Sequence, residues 1–289
     1  MAAGPLMRAA VMWQPEWLRA VGDRVGDRRL PSEGVVFTGC GTSFHAAQTG
    51  GNAIQALEAV LAPPAARLLV AVSHEGETAL TLEAVHAFRG PTWLVTGKPE
   101  SRLAEAADEV VVVTPEVETS WCHTASYTCA VAALAALRGD DVSWLPAAVE
   151  RALAEGPDAS GHERWLVAGA GRDWPTAQEA VLKLREGAFV AAEAHQTEQL
   201  LHGHLAAVDE GVRAFVLEGE GRARERARQA VEALATLGCD VALVPTVHPA
   251  VDIVPFQLLT LALAARRGVD PDWIRRDDER WKQAAERHA

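Results

Sequence analysis

The sequence predicts an α/β protein with two tandem domains, each a doubly wound parallel sheet flanked by helices. Two similar glycine-rich turns indicate the duplication: residues 35–43 read VVFTGCGTS and residues 165–172 read WLVAGAGR. Short apolar runs alternate with Ala-rich helical patterns, which is typical of parallel strands joined by helical crossovers. A chain of 289 residues can bury enough core for two modest domains.

The predicted elements follow the same order in both halves. After a lead-in helix over 5–25, the first half is expected to contain strands over 35–38, 68–72, 92–96 and 110–113, and helices over 45–59, from about 79 to 88, over 101–108 and over 124–137. The second half is expected to contain strands over 165–168, 214–217 and 241–244, and helices over 176–194, 221–237 and 256–267. The predicted domains are a lead-in segment, 1–28, a first domain, 29–145, a second domain, 146–268, and a C-terminal tail, 269–289.

Composition and charge exclude several classes of partner. A net charge of −12, with 24 Arg and only 3 Lys, argues against a nucleic-acid-binding surface, which needs a basic patch. The first residues contain no long apolar segment, so neither a signal peptide nor a membrane partner is expected, and the predicted location is cytoplasmic. The four cysteines form no CxxC pair, which favours buried thiols over disulfides or zinc ligands.

The first two turns carry hydroxyl groups suited to an anion. A glycine turn before a helix exposes backbone N–H groups at the positive end of the helix dipole. Thr42 and Ser43 follow the first turn. Ser73 and Thr78 are the first and last residues of the sequence SHEGET, which follows the next strand. Together these donors favour a phosphate group, although capping of the two helices is the alternative for each hydroxyl.

A metal site is the alternative for one histidine cluster. His195, Glu198 and His202 are spaced by three and four residues, which would place them on one face of a continuous helix. The cluster has no clear fourth ligand. The sequence therefore predicts no metal and no cofactor.

Four segments, in order along the chain, carry a family resemblance. They are MRAAVMWQP at 7–15, GCGTS at 39–43, SHEGET at 73–78, and EAVLKLREGAFVAAEAHQTEQLLHGH at 179–204. In these motifs the chain resembles the sugar isomerase (SIS) family, specifically the double-SIS isomerase module of glucosamine-6-phosphate synthase and its stand-alone phosphosugar isomerase and deaminase relatives. The resemblance covers nearly the whole chain and implies two tandem SIS domains.

The resemblance also implies the site residues. Glu186 matches the family's acid/base glutamate, and His202 matches a histidine that assists ring opening across a dimer interface. A homodimer with shared sites is therefore expected. The residues implied or suggested to bind the substrate are Gly41, Thr42, Ser43, Ser73, His74, Glu75, Thr78, His123, Thr124 and Lys183.

Three positions depart from the family pattern. Glu75 stands where a second serine is usual, Ala125 replaces a lysine, and Asp277 stands near the place of a C-terminal lysine. A carboxylate beside a phosphate is repelled, so Glu75 is expected to face the pocket and to pair with an arginine or with an amine of the substrate.

No glutaminase domain is expected ahead of the module, which disfavours glutamine-dependent amino transfer. The resemblance then implies a sugar-phosphate aldose–ketose isomerase, or a related aminosugar-phosphate deaminase or deglycase. The expected partner is a small-molecule sugar phosphate or aminosugar derivative. The alternative is a regulatory protein that binds a sugar phosphate without converting it, as the departures at Glu75, Ala125 and Asp277 suggest.

Overall fold

The computed structural model describes residues 4–156 and 161–287. The chain forms two compact units. Among the described residues, the N-terminal unit contains 5–154 together with the end of the chain from 272, and the C-terminal unit contains Gly4 and the residues from 155 to 271. Each unit is built around one parallel sheet.

The N-terminal unit has a fully parallel sheet in the order β2-β1-β3-β4-β5. Its strands are β1 (Val35–Gly39), β2 (Ala53–Gln55), β3 (Leu68–Val72), β4 (Thr92–Thr96) and β5 (Glu109–Val112). Its helices are α1 (Pro5–Arg19), α2 (Val21–Val25), α3 (Thr42–Thr49), α4 (Ala56–Leu61), α5 (Ala79–Ala87), α6 (Arg102–Ala106), α7 (Ala125–Arg138) and α8 (Leu145–Leu153). Strands β1 and β3 are buried along their whole length, as expected for parallel strands covered on both faces.

Strand β2 corrects one prediction, since a single helix was expected over 45–59. Gly51 has a φ of +136°, and a Cβ atom at Gly50 would lie 2.6 Å from the Phe37 ring. The glycine pair therefore ends α3 and lets the chain return beside β1, where the amide of Phe37 donates to the carbonyl of Asn52. The pairing partner of β2 is distant in sequence, so local helix propensity is overridden.

The C-terminal unit repeats the same strand order as β7-β6-β8-β9, again fully parallel. Its strands are β6 (Arg164–Gly169), β7 (Ala191–Gln196), β8 (Val212–Leu217) and β9 (Asp240–Val244). Its helices are α9 (Trp174–Ala188), α10 (Thr197–Leu201), α11 (Arg222–Thr236), α12 (Pro249–Asp252) and α13 (Val254–Arg267), with short 3-10 turns at Gly171–Asp173 and His204–Ala207.

Strand β7 corrects a second prediction, the helix over 176–194. Helix α9 ends at Ala188, and the next residue, Phe189, has a left-handed backbone with φ of 54°. Six residues of β7 then pair with β6 at the sheet edge. His195 therefore lies in a strand, so His195, Glu198 and His202 do not share one helix. The alternative of a metal site required these three side chains on one helical face and is therefore wrong.

The two glycine turns have matching geometry. Gly41 has φ of +54° and Gly171 has φ of +59°, so both positions suit glycine. A Cβ atom at Gly39 would lie 2.9 Å from the carbonyl oxygen of Val72, and one at Gly169 would lie 2.7 Å from that of Asp173. Each turn thus brings a strand end close to neighbouring backbone at the carboxyl edge of a sheet.

Helix α1 and the residues from 272 onward both pack into the N-terminal unit. Helix α1 contacts α7 and α8, so the unit ends after α8 rather than at residue 145. Asp272 is 2% exposed, and its carboxylate accepts the amides of Leu6 and Met7 at 2.9 and 2.7 Å. The chain then ends in α14 (Glu279–Ala285). The segment expected to be a tail beyond the second domain therefore belongs to the first unit.

One stretch of helix is long and apolar enough to cross a membrane by length and composition, Pro249–Arg267. Within the C-terminal unit, 67% of its apolar window is buried, and α13 packs along α9. Buried core helices of globular domains give the same pattern, so the stretch is weak support for a membrane span.

Candidate functional site

A small cavity lies at the carboxyl edge of the first sheet. The glycine turn after β1 supplies Thr42 and Ser43, the loop after β3 supplies His74, and the end of β4 supplies Thr96. His123, two residues before α7 begins, and Ser126, in its first turn, also line the cavity. The cavity volume is about 20 Å³, enough for about one water molecule, so a larger ligand requires the walls to separate.

The SHEGET loop forms a tight turn beside this cavity. Ser73 is 3% exposed, and its hydroxyl lies 3.5 Å from the hydroxyl of Thr78, at the N-cap position of α5. Glu75 is half-buried, is not among the residues lining the cavity, and forms no ion pair with another described residue. The expected pairing of Glu75 with an arginine is therefore not found within the described chain.

His74 is held firmly in its loop. Its carbonyl accepts the Gly97 amide at 2.9 Å and the Thr96 hydroxyl at 3.0 Å. Its Nε2 accepts the backbone amide of Glu118 at 2.8 Å, so the neutral ring carries its proton on Nδ1. Burial, and next the neighbouring imidazole of His123, lower the pKa of His74 to about 4, although the Glu118 carboxylate acts in the opposite direction.

Glu118 is an important residue that the sequence analysis did not select. It is 3% exposed, and its carboxylate accepts the Thr124 amide and hydroxyl at 2.7 and 2.9 Å and the Ser126 amide at 2.9 Å. These amides belong to the N-terminal end of α7, which favours a negative charge. The sequence signal that could have identified Glu118 is its position as a carboxylate shortly before the predicted start of the helix over 124–137.

This contact bears on Thr124, which was expected to touch the sugar. Thr124 is fully buried, donates its hydroxyl to Glu118 and does not line the cavity. Thr124 therefore occupies the N-cap position of α7, and its hydroxyl orients the Glu118 carboxylate that accepts the amides there. Ser126, which the sequence analysis did not select, lines the cavity instead, and its buried hydroxyl has no hydrogen-bond partner among the described residues.

In the C-terminal unit, α9 carries a buried ammonium group between two carboxylates. Lys183 has a fully buried side chain, and its Nζ lies 2.8 Å from Glu186 and 3.4 Å from Glu179. The Glu179 side chain is 1% exposed, whereas that of Glu186 is 25% exposed. Glu186 is therefore the carboxylate of this group that solvent can reach. Lys183, expected to bind substrate, is instead enclosed beside it.

His202 lies at the surface of the same unit. It is the C-cap residue of α10, its side chain is 68% exposed, and its Nδ1 lies 3.0 Å from the Glu198 carboxylate. Arg226 also holds that carboxylate at 2.7 Å. The hydrogen bond from Arg226 is the largest cause that lowers the pKa of Glu198.

The second glycine turn leads to an edge that differs from the first. Asp173 is fully buried there and accepts the Thr246 hydroxyl at 3.0 Å. Asp252 is 6% exposed and accepts the Val247 amide at 2.9 Å. Burial raises the pKa of both carboxyl groups, that of Asp252 to about 7. Carboxyl groups at this edge are poorly suited to an anion, so the anion-binding candidate is the first edge.

Metal ligation finds no support in the described residues. Within 4–156 and 161–287, no group of three or more His, Cys, Asp or Glu side chains is placed to hold a metal ion. His195 contacts the Glu193 carboxylate at 3.1 Å and the ring of His204, with 4.4 Å between ring centroids.

Comparison with known proteins identifies the C-terminal unit. A family model described as the SIS domain matches residues 160–267. The chain carries a SIS domain. The SIS match spans β6 to α13 and includes Lys183, Glu186 and His202, so the family resemblance is confirmed.

Relatives of known sequence and structure cover more of the chain. Glutamine–fructose-6-phosphate aminotransferase (isomerizing) of Methanothermobacter thermautotrophicus is 26% identical and matches 89% of this chain. The match covers 52% of that relative, so the chain spans about half the length of the curated relatives it matches.

Solved structures share the fold across both units. The C-terminal domain of glucosamine-fructose-6-phosphate aminotransferase from Francisella tularensis superimposes with a TM-score of 0.76 at 21% identity, covering 92% of this chain and 97% of that one. Glucosamine-6-phosphate deaminase from Thermotoga maritima gives a TM-score of 0.75 at 21% identity, with 93% and 97% coverage. The α/β fold with parallel sheets flanked by helices is confirmed.

Proposed function

We propose that the chain is a SIS-type enzyme acting on sugar phosphates, either an aldose–ketose isomerase or a related aminosugar-phosphate deaminase or deglycase. The proposal includes two tandem SIS domains, because the N-terminal sheet has the strand order of the SIS-matching unit and an equivalent glycine turn. The relatives whose names include isomerizing and deaminase activities support the reaction class.

The observation that carries the proposal is the geometry of Glu186. Isomerisation removes a proton next to a carbonyl and returns it to the neighbouring carbon, which one positioned carboxylate can perform. Glu186 is partly exposed, and the buried Lys183 ammonium holds it at 2.8 Å. We assign Glu186 as the acid/base and Lys183 as the residue that positions it. His202 retains the role of assisting ring opening that the family resemblance implies.

Phosphate binding is assigned to the edge of the first sheet. The hydroxyls of Thr42 and Ser43 lie at the start of α3 and line the cavity, while Ser73 and Thr78 face each other in the neighbouring loop. Gly41 gives the turn its left-handed backbone. Hydroxyls and helix N-terminal amides bind phosphate without a formal positive charge. The substrate class is therefore a small phosphorylated sugar or aminosugar.

The proposal extends to assembly and location. A homodimer with shared sites would explain a site residue as exposed as His202, whose ring is 68% accessible. A cytoplasmic location accords with a substrate class of phosphorylated metabolites.

A substrate panel tests the proposal. The purified chain is incubated with hexose 6-phosphates and 2-amino-hexose 6-phosphates, and products are detected by NMR and by mass. Isomerisation gives a product of unchanged mass, whereas deamination releases ammonia. A panel without any conversion contradicts the proposal.

The second candidate is a binding protein without catalysis, which is favoured by Glu75, Ala125 and Asp277, the positions where the chain departs from the family pattern. Under this alternative, a sugar phosphate would raise the melting temperature of the protein without being consumed. The same panel therefore separates the two candidates.

A further inference from the structure

Two imidazoles face the cavity of the N-terminal unit. Of the side chains that line this cavity in the described chain, those of His74 and His123 are the imidazoles, the side-chain type used most often as a general acid or base. Their rings meet edge to face, with 5.2 Å between the centroids. The cavity also contains the hydroxyls assigned above to phosphate, so a bound sugar phosphate would lie within reach of an imidazole.

His74 is not free to act as the acid. The Glu118 amide points at its Nε2, so a second proton on the ring would have to go to that nitrogen and would replace the hydrogen bond with two opposed N–H groups. Burial, the His123 imidazole and the Glu118 carboxylate are the influences that set its pKa to about 4. His74 is therefore a neutral positioning residue that forms one wall of the cavity.

His123 is half-buried and lies one residue before Thr124, the N-cap residue of α7. Ser126, three residues later, lines the same cavity, is 4% exposed and has a hydroxyl without a hydrogen-bond partner in the described chain. A buried hydroxyl left without a partner costs free energy that a ligand contact would recover. His123 and Ser126 therefore offer an imidazole and an unpaired hydroxyl to a ligand in the same cavity.

We propose that His123 is a catalytic residue that gives a proton to the ring oxygen of the sugar, with Ser126 hydrogen-bonded to a sugar hydroxyl. The bond between the anomeric carbon and the ring oxygen breaks, and its electron pair stays on that oxygen, which takes the proton from His123. The anomeric hydroxyl loses its proton to water as the carbonyl forms, and water reprotonates His123. The step consumes no net proton. This assignment rests on the proposed function and adds a second histidine to the ring-opening step.

Ring opening is measured apart from isomerisation by following anomer exchange. The test uses NMR saturation transfer between the α and β anomers of fructose 6-phosphate and of glucosamine 6-phosphate. The enzyme carries Glu186→Gln, which blocks the later proton transfer between carbons. In this background, His123→Asn should lower enzyme-catalysed anomer exchange by about 100-fold, the usual contribution of a general acid. Ser126→Ala should weaken binding of the sugar phosphate without a comparable effect on the exchange rate at saturation.

The matched control is His86→Asn, which removes an exposed imidazole on α5 and should change neither quantity. His123→Gln and melting curves for every variant separate loss of the acid from loss of folding. Undiminished anomer exchange in both folded His123 variants overturns the assignment, as does a parent enzyme that catalyses no exchange. Hydrogen exchange at C2 by the wild-type enzyme tests the proposed function independently of ring opening. The role of His123 can therefore fail while the proposed function stands, and the reverse.

Discussion

The clearest case at the residue scale is the Lys183 group on α9, where a buried ammonium compensates the charge of Glu179 and Glu186. The three charged residues are evident in the sequence, but their burial is not. Charged residues spaced in this way along a helix usually lie on a solvent-exposed face. Helix α13 packs against α9, and the Lys183 side chain is fully buried. That packing joins segments far apart in the chain, so its effect could not be predicted locally.

Removal of the ammonium should be strongly destabilising. Lys183→Met removes the ammonium group that lies 3.4 Å from the buried Glu179 carboxylate, and breaking a buried ion pair in this way costs about 3–5 kcal/mol in the free energy of unfolding. Adding Glu179→Leu should recover most of this loss, because the remaining carboxylate of Glu186 is 25% exposed and can be hydrated. Urea denaturation of the three proteins measures both values. Equal stability of Lys183→Met and wild type would contradict the buried pairing.

His74 should make stability depend on pH in the acid range. The pKa of His74 is about 4 in the folded protein and 6.5 for an unperturbed histidine, so the unfolded chain binds the proton more readily. The contribution to stability is complete above pH 6.5 and is lost as the pH falls towards 4, by about 3 kcal/mol in total.

Comparison of wild type with His74→Gln isolates this effect, because Gln retains an acceptor for the Glu118 amide and does not titrate. The free energies of unfolding of the two proteins should converge or cross in favour of the variant between pH 7 and 4. A constant difference across this range would show that His74 is solvated.

At the scale of elements, local pattern predicted most strands and the two glycine turns, because apolar runs and glycine punctuation are local signals. It failed at the edge strands β2 and β7 (Ala53–Gln55 and Ala191–Gln196). Both have compositions that favour helix, and both are strands only because β1 and β6 present unpaired edges to them. The metal alternative likewise assumed a helix through 195–202, whereas His195 lies in β7.

Helix α7 should depend on Glu118 for its start. Glu118→Ala leaves two amides and a hydroxyl without their acceptor in a buried turn, which should cost about 3 kcal/mol or more. Glu118→Gln retains one acceptor and should cost less. Urea denaturation with far-UV circular dichroism measures the series. Wild-type stability in the alanine variant would exclude a capping role.

At the scale of the whole molecule, the alternation of apolar runs with helical patterns predicted the α/β class and the family motifs predicted the SIS relationship, since both signals are carried by residues adjacent in sequence. The packing of residues 272–287 into the N-terminal unit was not predicted, because it depends on Asp272 meeting the amides of Leu6 and Met7. Neither contact leaves a sequence pattern. The unpaired hydroxyl of Ser126 and the capping role of Glu118 were not predicted either, because they too depend on packing that leaves no sequence pattern.

Shared sites can be detected by mixing two inactive chains. If Glu186 of one chain works with His202 of its partner, heterodimers of Glu186→Gln and His202→Ala each contain one intact site. Random exchange makes half of the dimers heterodimers, so activity should recover to about a quarter of wild type. Light scattering confirms the assembly, and mass-labelled chains confirm exchange. No recovery after confirmed exchange would show that each site is built from one chain.

The central claim is that Glu186 moves a proton between neighbouring carbons of a sugar phosphate. Its direct test is incorporation of solvent deuterium at C2, followed by NMR in D2O with hexose and amino-hexose 6-phosphates. The account predicts incorporation by wild type and by the control Glu193→Gln, whose carboxylate is 74% exposed, and a loss of at least about 100-fold in Glu186→Gln. Incorporation at an undiminished rate in folded Glu186→Gln, or none in wild type with every sugar phosphate of the panel, would contradict it.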